Sequence, residues 1–204
     1  MSNNIFDIEK FKDQIPYYLT APQKEGLINA LRDFPENTNY YLTNYHDDLK
    51  NAALQGDIFK ELTVYSIKGT KKTRGIILSN SCDIDTSNNR DVPMRAVFAP
   101  LVSLSKFEAI LLSNGVSKTS IDSKIDAIRK QLITNIFYLP ESDNLEECIV
   151  FLDDVYQLPT EELQKLLNDK CKAITLSQVG FYILLFKISI HFCRFHENIQ
   201  RFDH

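Results

Sequence analysis

The run Gly75-Ile76-Ile77-Leu78 is continuously apolar and is bounded by Lys71-Lys72-Thr73-Arg74 before it and Ser79-Asn80-Ser81 after it. A strand with no polar alternation is covered on both faces, so this run predicts a strand central to a sheet. By period alone, a run this short also allows a buried helical turn. The neighbouring sequence favours the sheet, because between Gly56 and Val102 the chain is made of short runs rich in Val, Ile, Phe, Tyr and Thr. Turn-forming clusters such as Lys68-Gly69-Thr70 and Thr86-Ser87-Asn88-Asn89 separate them. Strands are expected near 57–67, 73–80 and 94–102, with Gly56 at a tight turn entering the first.

On either side of this region the apolar spacing is helical. Thr20-Ala21-Pro22-Gln23 has the form of a capping box, and Leu27, Ile28, Leu31 and Phe34 follow at helical intervals until Pro35. Phe107, Ile110 and Leu111, a break at Asn114-Gly115, and then Ile121, Ile125, Ile128 and Leu132 predict a helical hairpin over 105–132. Strand-like sequence returns at 133–139 and 148–158, making five strands in all. Thr160-Glu161-Glu162 starts a further helix, and a long apolar helix is expected at the C-terminal end. The whole chain, 1–204, reads as one α+β domain, with a helical segment over 1–50, a sheet region over 55–158 and helices over 160–204.

Twenty-seven acidic against twenty-three basic residues give a formal charge of −4, which argues against a protein that coats nucleic acid non-specifically and leaves room for a local basic site. Cys82, Cys148, Cys171 and Cys193 form no CxxC pair, so neither a zinc ribbon nor a disulfide scaffold is expected. No cofactor is implied. Met1-Ser2-Asn3-Asn4 lacks the basic and apolar regions of a signal peptide. Lys187, His191 and Arg194 interrupt the apolar C-terminal run well short of the ~20 residues of a spanning helix. A cytoplasmic protein with no membrane segment is therefore expected.

The order Gly56-Asp57-Ile58, then Lys71-Lys72-Thr73-Arg74 before Gly75-Ile76-Ile77-Leu78-Ser79-Asn80, then Val97-Phe98-Ala99-Pro100 resembles the MazF/PemK toxin ribonucleases. Val150 to Leu158 and the helix start at Thr160 resemble the late strand and helix of that family. The resemblance covers roughly 55–104 and 148–165. It implies a five-stranded SH3-like β-barrel, here with N-terminal helices, an inserted helical hairpin and a long C-terminal helix. It also implies a bacterial toxin-antitoxin or defence setting, RNA or a protein as partner, and a homodimer.

In that family an Arg beside the second strand and a Ser or Thr just after the next strand's Pro cleave RNA without a metal. Carried over by position, the Arg is Arg74. Gly75 follows it where the family has Pro, and Val102 stands at the hydroxyl position with Ser103 displaced by one. In a strand that displacement predicts the opposite face. The expectation is a module that binds nucleic acid or a partner protein without strong catalysis. The alternative is an endoribonuclease using Arg74 with a hydroxyl from Ser79, Ser81 or Ser103.

Two further clusters are candidates. The loop Ser79-Asn80-Ser81-Cys82-Asp83-Ile84-Asp85 gathers a thiol, carboxylates and hydroxyls after a buried strand, so Cys82 and Asp83 are candidate binding residues and a Cys82-dependent enzyme is a third reading. The bland alternative is a polar turn with Cys82 as filler. On the C-terminal helix, Gly180, Leu184, Lys187, His191 and Arg194 fall on one line. That line is expected to reach solvent or an anion, while Phe181, Leu185, Ile188 and Phe192 pack inward.

Overall fold

The computed structural model describes residues 21–32, 39–44, 46–88, 91–92 and 94–192. Strands β1 (Ile58–Ser66) and β2 (Gly69–Ile77) form an antiparallel ribbon whose turn needs Gly69 at φ +115°, a conformation that L side chains rarely adopt. β3 (Arg95–Ser103) is the strand around which the sheet is organised. It pairs with β2 through Phe98 to Pro100, with β6 (Tyr156–Pro159) through Arg95 to Phe98, and with β5 (Cys148–Phe151) through Leu101 to Ser103. β4 (Ile136–Leu139) adds to β5, and β7 (Lys172–Ile174) adds to β1.

The result is one antiparallel sheet of seven strands in the order β4-β5-β3-β2-β1-β7, with β6 beside β3. It is open, which corrects the expected five-stranded SH3-like barrel. Two local features raise the strand number from five to seven. The expected single strand over 148–158 is broken by a turn in which the Asp154 N–H bonds the Phe151 carbonyl, so it supplies two short partners along one edge of β3. Lys172-Ala173-Ile174, lying where only helix was expected, then takes the outer edge of β1. β4 and β7 stand at opposite ends of the strand order, and helices bury the sheet faces.

Three apolar clusters show how. Ile76 and Ile77, both fully buried, feed opposite faces, as the period of a strand requires. Ile76 joins Ile58, Ala99, Phe137 and Val150 beneath Ile183 and Leu184 of helix α7 (Gln178–Phe192). Ile77 joins Phe59, Leu62 and Phe98 beneath Leu163, Leu166 and Leu167 of α6 (Thr160–Asn168). The third cluster packs Leu104 of α4 (Leu104–Ser113) and Ile121, Ile125 and Ile128 of α5 (Lys118–Arg129) on Ile136, Tyr138 and Ile149. The expected helical hairpin is therefore present, inserted between β3 and β4. Helices α1 (Ala21–Arg32) and α2 (Asp47–Lys50) precede the sheet, and α3 (Ser81–Ile84) follows β2. Thr20 of the expected capping box and Phe34 lie outside the described residues.

Gly56 turns the chain into β1 at φ +88°, as expected, and a Cβ there would come within 2.8 Å of Leu176 Cδ1. Helix α7 departs from its expected orientation: the expected outward line turns inward, while Phe181, Leu185 and Ile188 pack against the same cluster as expected. Gly180, Leu184 and Lys187 are buried, whereas Phe192 is 58% exposed and Phe181, Leu185 and Ile188 are only partly covered. The physical reason is Gly180. A Cβ at that position would collide with the Tyr40 carbonyl, so the helix approaches that backbone along its glycine side and carries Leu184 and Lys187 inward with it.

Candidate functional site

β2, β3 and the loop before β5 meet at one rim of the sheet. Ile76, Ala99, Leu101 and Cys148 all pack toward the cluster under α7. By strand alternation Arg74, two residues before Ile76, and Ser103, two after Leu101, point to that same side. Ser103 is also the register partner of Cys148. The one-residue displacement from the strand Pro had predicted opposed faces for Arg74 and Ser103, and the register places them together.

Glu146, two residues before Cys148, joins them. Its Oε1 accepts a hydrogen bond from Arg74 Nη2 at 2.5 Å, with the two side chains 51% and 39% exposed. The Ser103 hydroxyl lies against the same carboxylate and is 2.7 Å from Ser105 Oγ. Arg74 first and Ser103 second hold the Glu146 carboxyl below its ordinary pKa. The rim thus carries a guanidinium, a carboxylate and two hydroxyls on short, hydrogen-bonded spacing.

The support beneath this group is firm. Glu147 takes two bonds from Arg129, Nε to Oε1 at 2.9 Å and Nη2 to Oε2 at 2.7 Å, and one from Tyr138 Oη at 2.5 Å. Its carbonyl accepts the Leu104 N–H, which ties the loop to the residue after Ser103. Leu145 and Cys148 on either side are buried, and burial pushes the Cys148 thiol up to about 11. The loop that presents Glu146 is therefore fixed even though the side chain itself is exposed.

Beside the rim, the β1–β2 ribbon is basic. Lys68, Lys71 and Lys72 are exposed, Tyr65 is 54% exposed, and Ile67 at the turn is fully exposed. Lys72, on the same side of β2 as Arg74, pairs with Thr63, and Lys71, on the other side, with Val64. Lys60 is also exposed; Glu61 is the one acidic residue between Ile58 and Arg74 in sequence, and the Glu162 carboxylate meets the ribbon at Thr63 and Tyr65.

The other sequence candidates are engaged elsewhere. Ser79 Oγ accepts the Val97 N–H at 2.7 Å, and Ser81 Oγ accepts the Gln55 N–H at 2.9 Å. Their hydroxyls hold loops to the sheet. Cys82 is exposed on α3, whose N-cap Asn80 accepts the Cys82 N–H, and Asn88 Nδ2 bonds the Cys82 carbonyl. Asp83 lies in the first turn of the same short helix. Asn80 thus caps a short helix on which Cys82 is exposed, where a half-buried filler of a turn was the alternative expected.

Lys187 does not line a groove. It is 2% exposed and its Nζ donates to the carbonyls of Gln131, at 3.0 Å, and Ile133, capping the chain as it leaves α5. Burial lowers its pKa to about 8. His191 packs edge-on against Phe192 at 4.6 Å, and Arg194 lies outside the described residues. A buried ion pair, Asp57 to Lys172 at 2.8 Å, joins the start of β1 to β7 and serves the fold.

Among the described residues no group of three or more His, Cys, Asp or Glu could hold a metal ion, and no helix is long and apolar enough to cross a membrane. Glu146 was missed in the sequence. Its signal was the acidic run Glu141-Ser142-Asp143-Asn144-Leu145-Glu146-Glu147 between two strands, which brings carboxylates back to the end of β3 once those strands pair. Neither a protein-family model nor a curated protein matches the chain.

Proposed function

We propose that this chain is an RNA-binding module whose contact surface runs from the β1–β2 ribbon to Arg74, Ser103 and Ser105 at the sheet rim. The observation that carries the reading is the convergence of Arg74 and Ser103 on one anionic group. A guanidinium and a hydroxyl on one side of the sheet beside one carboxylate are also placed to share a phosphate. The exposed Lys68, Lys71 and Lys72 supply further phosphate contacts, and Tyr65, whose hydroxyl donates to Glu162 at 3.3 Å, leaves a half-exposed ring on which a base can stack. The resemblance to MazF/PemK toxins supports RNA as the ligand and a toxin-antitoxin or defence setting. The open sheet departs from that family's barrel, so the support comes from the sequence order and from the rim.

A second reading, metal-independent RNA cleavage, is favoured by the same-face placement of Arg74 and Ser103. Such cleavage needs a base to take the ribose 2′-hydroxyl proton, a cation to stabilise charge on the phosphate, and a proton donor to the leaving oxygen. Carboxylate, guanidinium and hydroxyl are all at the rim. The Cys82-dependent reading has no comparable observation in its favour.

One experiment separates the two. A long single-stranded RNA is incubated with the protein in EDTA, and its binding and its integrity are followed together. Binding without cleavage, weakened by Arg74→Ala, is the result expected of the module. Discrete products that disappear with Arg74→Ala select the ribonuclease, and the absence of any RNA binding rejects both.

A further inference from the structure

We propose that Glu146 is a built-in competitor for the RNA site: in the free protein its carboxylate holds the Arg74 guanidinium that an RNA phosphate takes, and RNA binds by displacing it. The inference rests on reading Arg74 as a phosphate-binding residue. Carboxylate and phosphate present the same kind of paired oxygen acceptors to a guanidinium, so one can stand in for the other.

Three features make Glu146 a latch. Its carboxylate holds Arg74 Nη2 at 2.5 Å, on the side of the sheet that also carries Ser103. Its backbone is held in place by Glu147, which Arg129 and Tyr138 clamp, and by buried Leu145 and Cys148. Its side chain is half exposed, so rotation into water is open to it without moving the loop. Exposed ion pairs are weak, which makes the competition reversible and its effect modest. A polyanion that also engages the ribbon lysines gains contacts that Glu146 cannot offer, and so prevails.

The test measures the affinity of a fluorescently labelled, mixed-sequence single-stranded RNA at low salt. Glu146→Gln is expected to tighten binding by roughly two- to five-fold, the scale of an exposed ion pair. Glu141→Gln makes the same charge change at another exposed position of the same loop and is expected to tighten it less. In an Arg74→Ala background, Glu146→Gln is expected to gain no more than Glu141→Gln. Equal gains from the two Gln variants in the wild-type background, a loss of affinity with Glu146→Gln, or no RNA binding by any variant each overturns the proposal. Should Glu146→Gln fold poorly, Glu146→Ala takes its place with the same expectations. If Arg74→Ala leaves RNA affinity unchanged, the functional reading itself falls; if it weakens binding while the two Gln variants match, only the latch falls.

Discussion

Lys187 offers a quantitative test of the orientation of α7. Its ammonium is buried and bonded to two carbonyls, and burial moves its pKa from the ordinary 10.5 to about 8. Below pH 8 the group is protonated in both the folded and the unfolded chain, and the folded chain bears the full cost of desolvating the charge. Between pH 8 and 10.5 the folded chain has released the proton while the unfolded chain still holds it. The Lys187 contribution to stability therefore rises with pH across that window, and a depression of this size corresponds to about 3 kcal/mol. Lys187→Met removes the titration but leaves the carbonyls of Gln131 and Ile133 without this donor, at a cost of about 1–3 kcal/mol. Near neutral pH these effects oppose each other, and the variant is expected to lie close to the wild type. The assay is denaturant unfolding of both proteins from pH 7 to 10.5, read as the difference between them, in which other alkaline groups such as Cys148 cancel. The wild type should gain on the variant by up to about 3 kcal/mol. A difference that stays flat across the window would refute the burial of Lys187 and, with it, the inward direction of its helix face.

Other perturbations follow from particular contacts. Gly180→Ala forces a Cβ into the Tyr40 carbonyl, and overpacking of about 1–3 kcal/mol should exceed the helix-propensity gain of about 1 kcal/mol, lowering the melting temperature. A rise in melting temperature would show that the helix does not approach Tyr40 this closely. Lys172→Met strands the buried Asp57 and should cost about 3–5 kcal/mol in equilibrium unfolding, most of it recovered in the double variant with Asp57→Asn; the absence of recovery would contradict the pairing. Tyr65→Ala should weaken single-stranded RNA binding more than duplex binding, because only unpaired bases can stack on the exposed ring, and equal effects in a binding titration would exclude stacking.

How far the fold could be read from sequence depended on whether local pattern and tertiary context agreed. Ile76 and Ile77 announced a central strand because an apolar run without alternation has to be covered on both faces, and each does feed a different cluster. Ile121, Ile125 and Ile128 likewise announced the buried face of α5. Helix α7 is apolar nearly all round, so its period carries no information about which side faces inward, and its polar line was expected to reach solvent or an anion. The deciding contact, Gly180 against Tyr40, joins segments far apart in sequence. β7 was not visible in the sequence because three residues, Lys172-Ala173-Ile174, are too few to show alternation.

The site was legible in one half. Arg74 and Ser103 were identifiable as a cation and a hydroxyl near a strand end, but their shared face depends on the register among β2, β3 and β5, which no local pattern specifies. Glu146 lies seventy-two residues from Arg74 and on a separate hairpin, so only strand pairing brings it to the rim. The cationic ribbon was visible as Lys71-Lys72-Thr73-Arg74, whereas the exposure of Tyr65 and Ile67 emerged only once the ribbon was seen to extend from Ile58 to Ile77.

The central claim, that the ribbon and rim bind RNA phosphates, is tested most directly by the salt dependence of single-stranded RNA affinity. Each phosphate contact on a single strand contributes about 0.7 to the slope of log affinity against log salt concentration. A variant with Lys71→Gln, Lys72→Gln and Arg74→Gln should bind more weakly and lose about 2 from the magnitude of that slope, with its unfolding midpoint close to the wild type. A slope and affinity equal to those of the wild type would contradict the account.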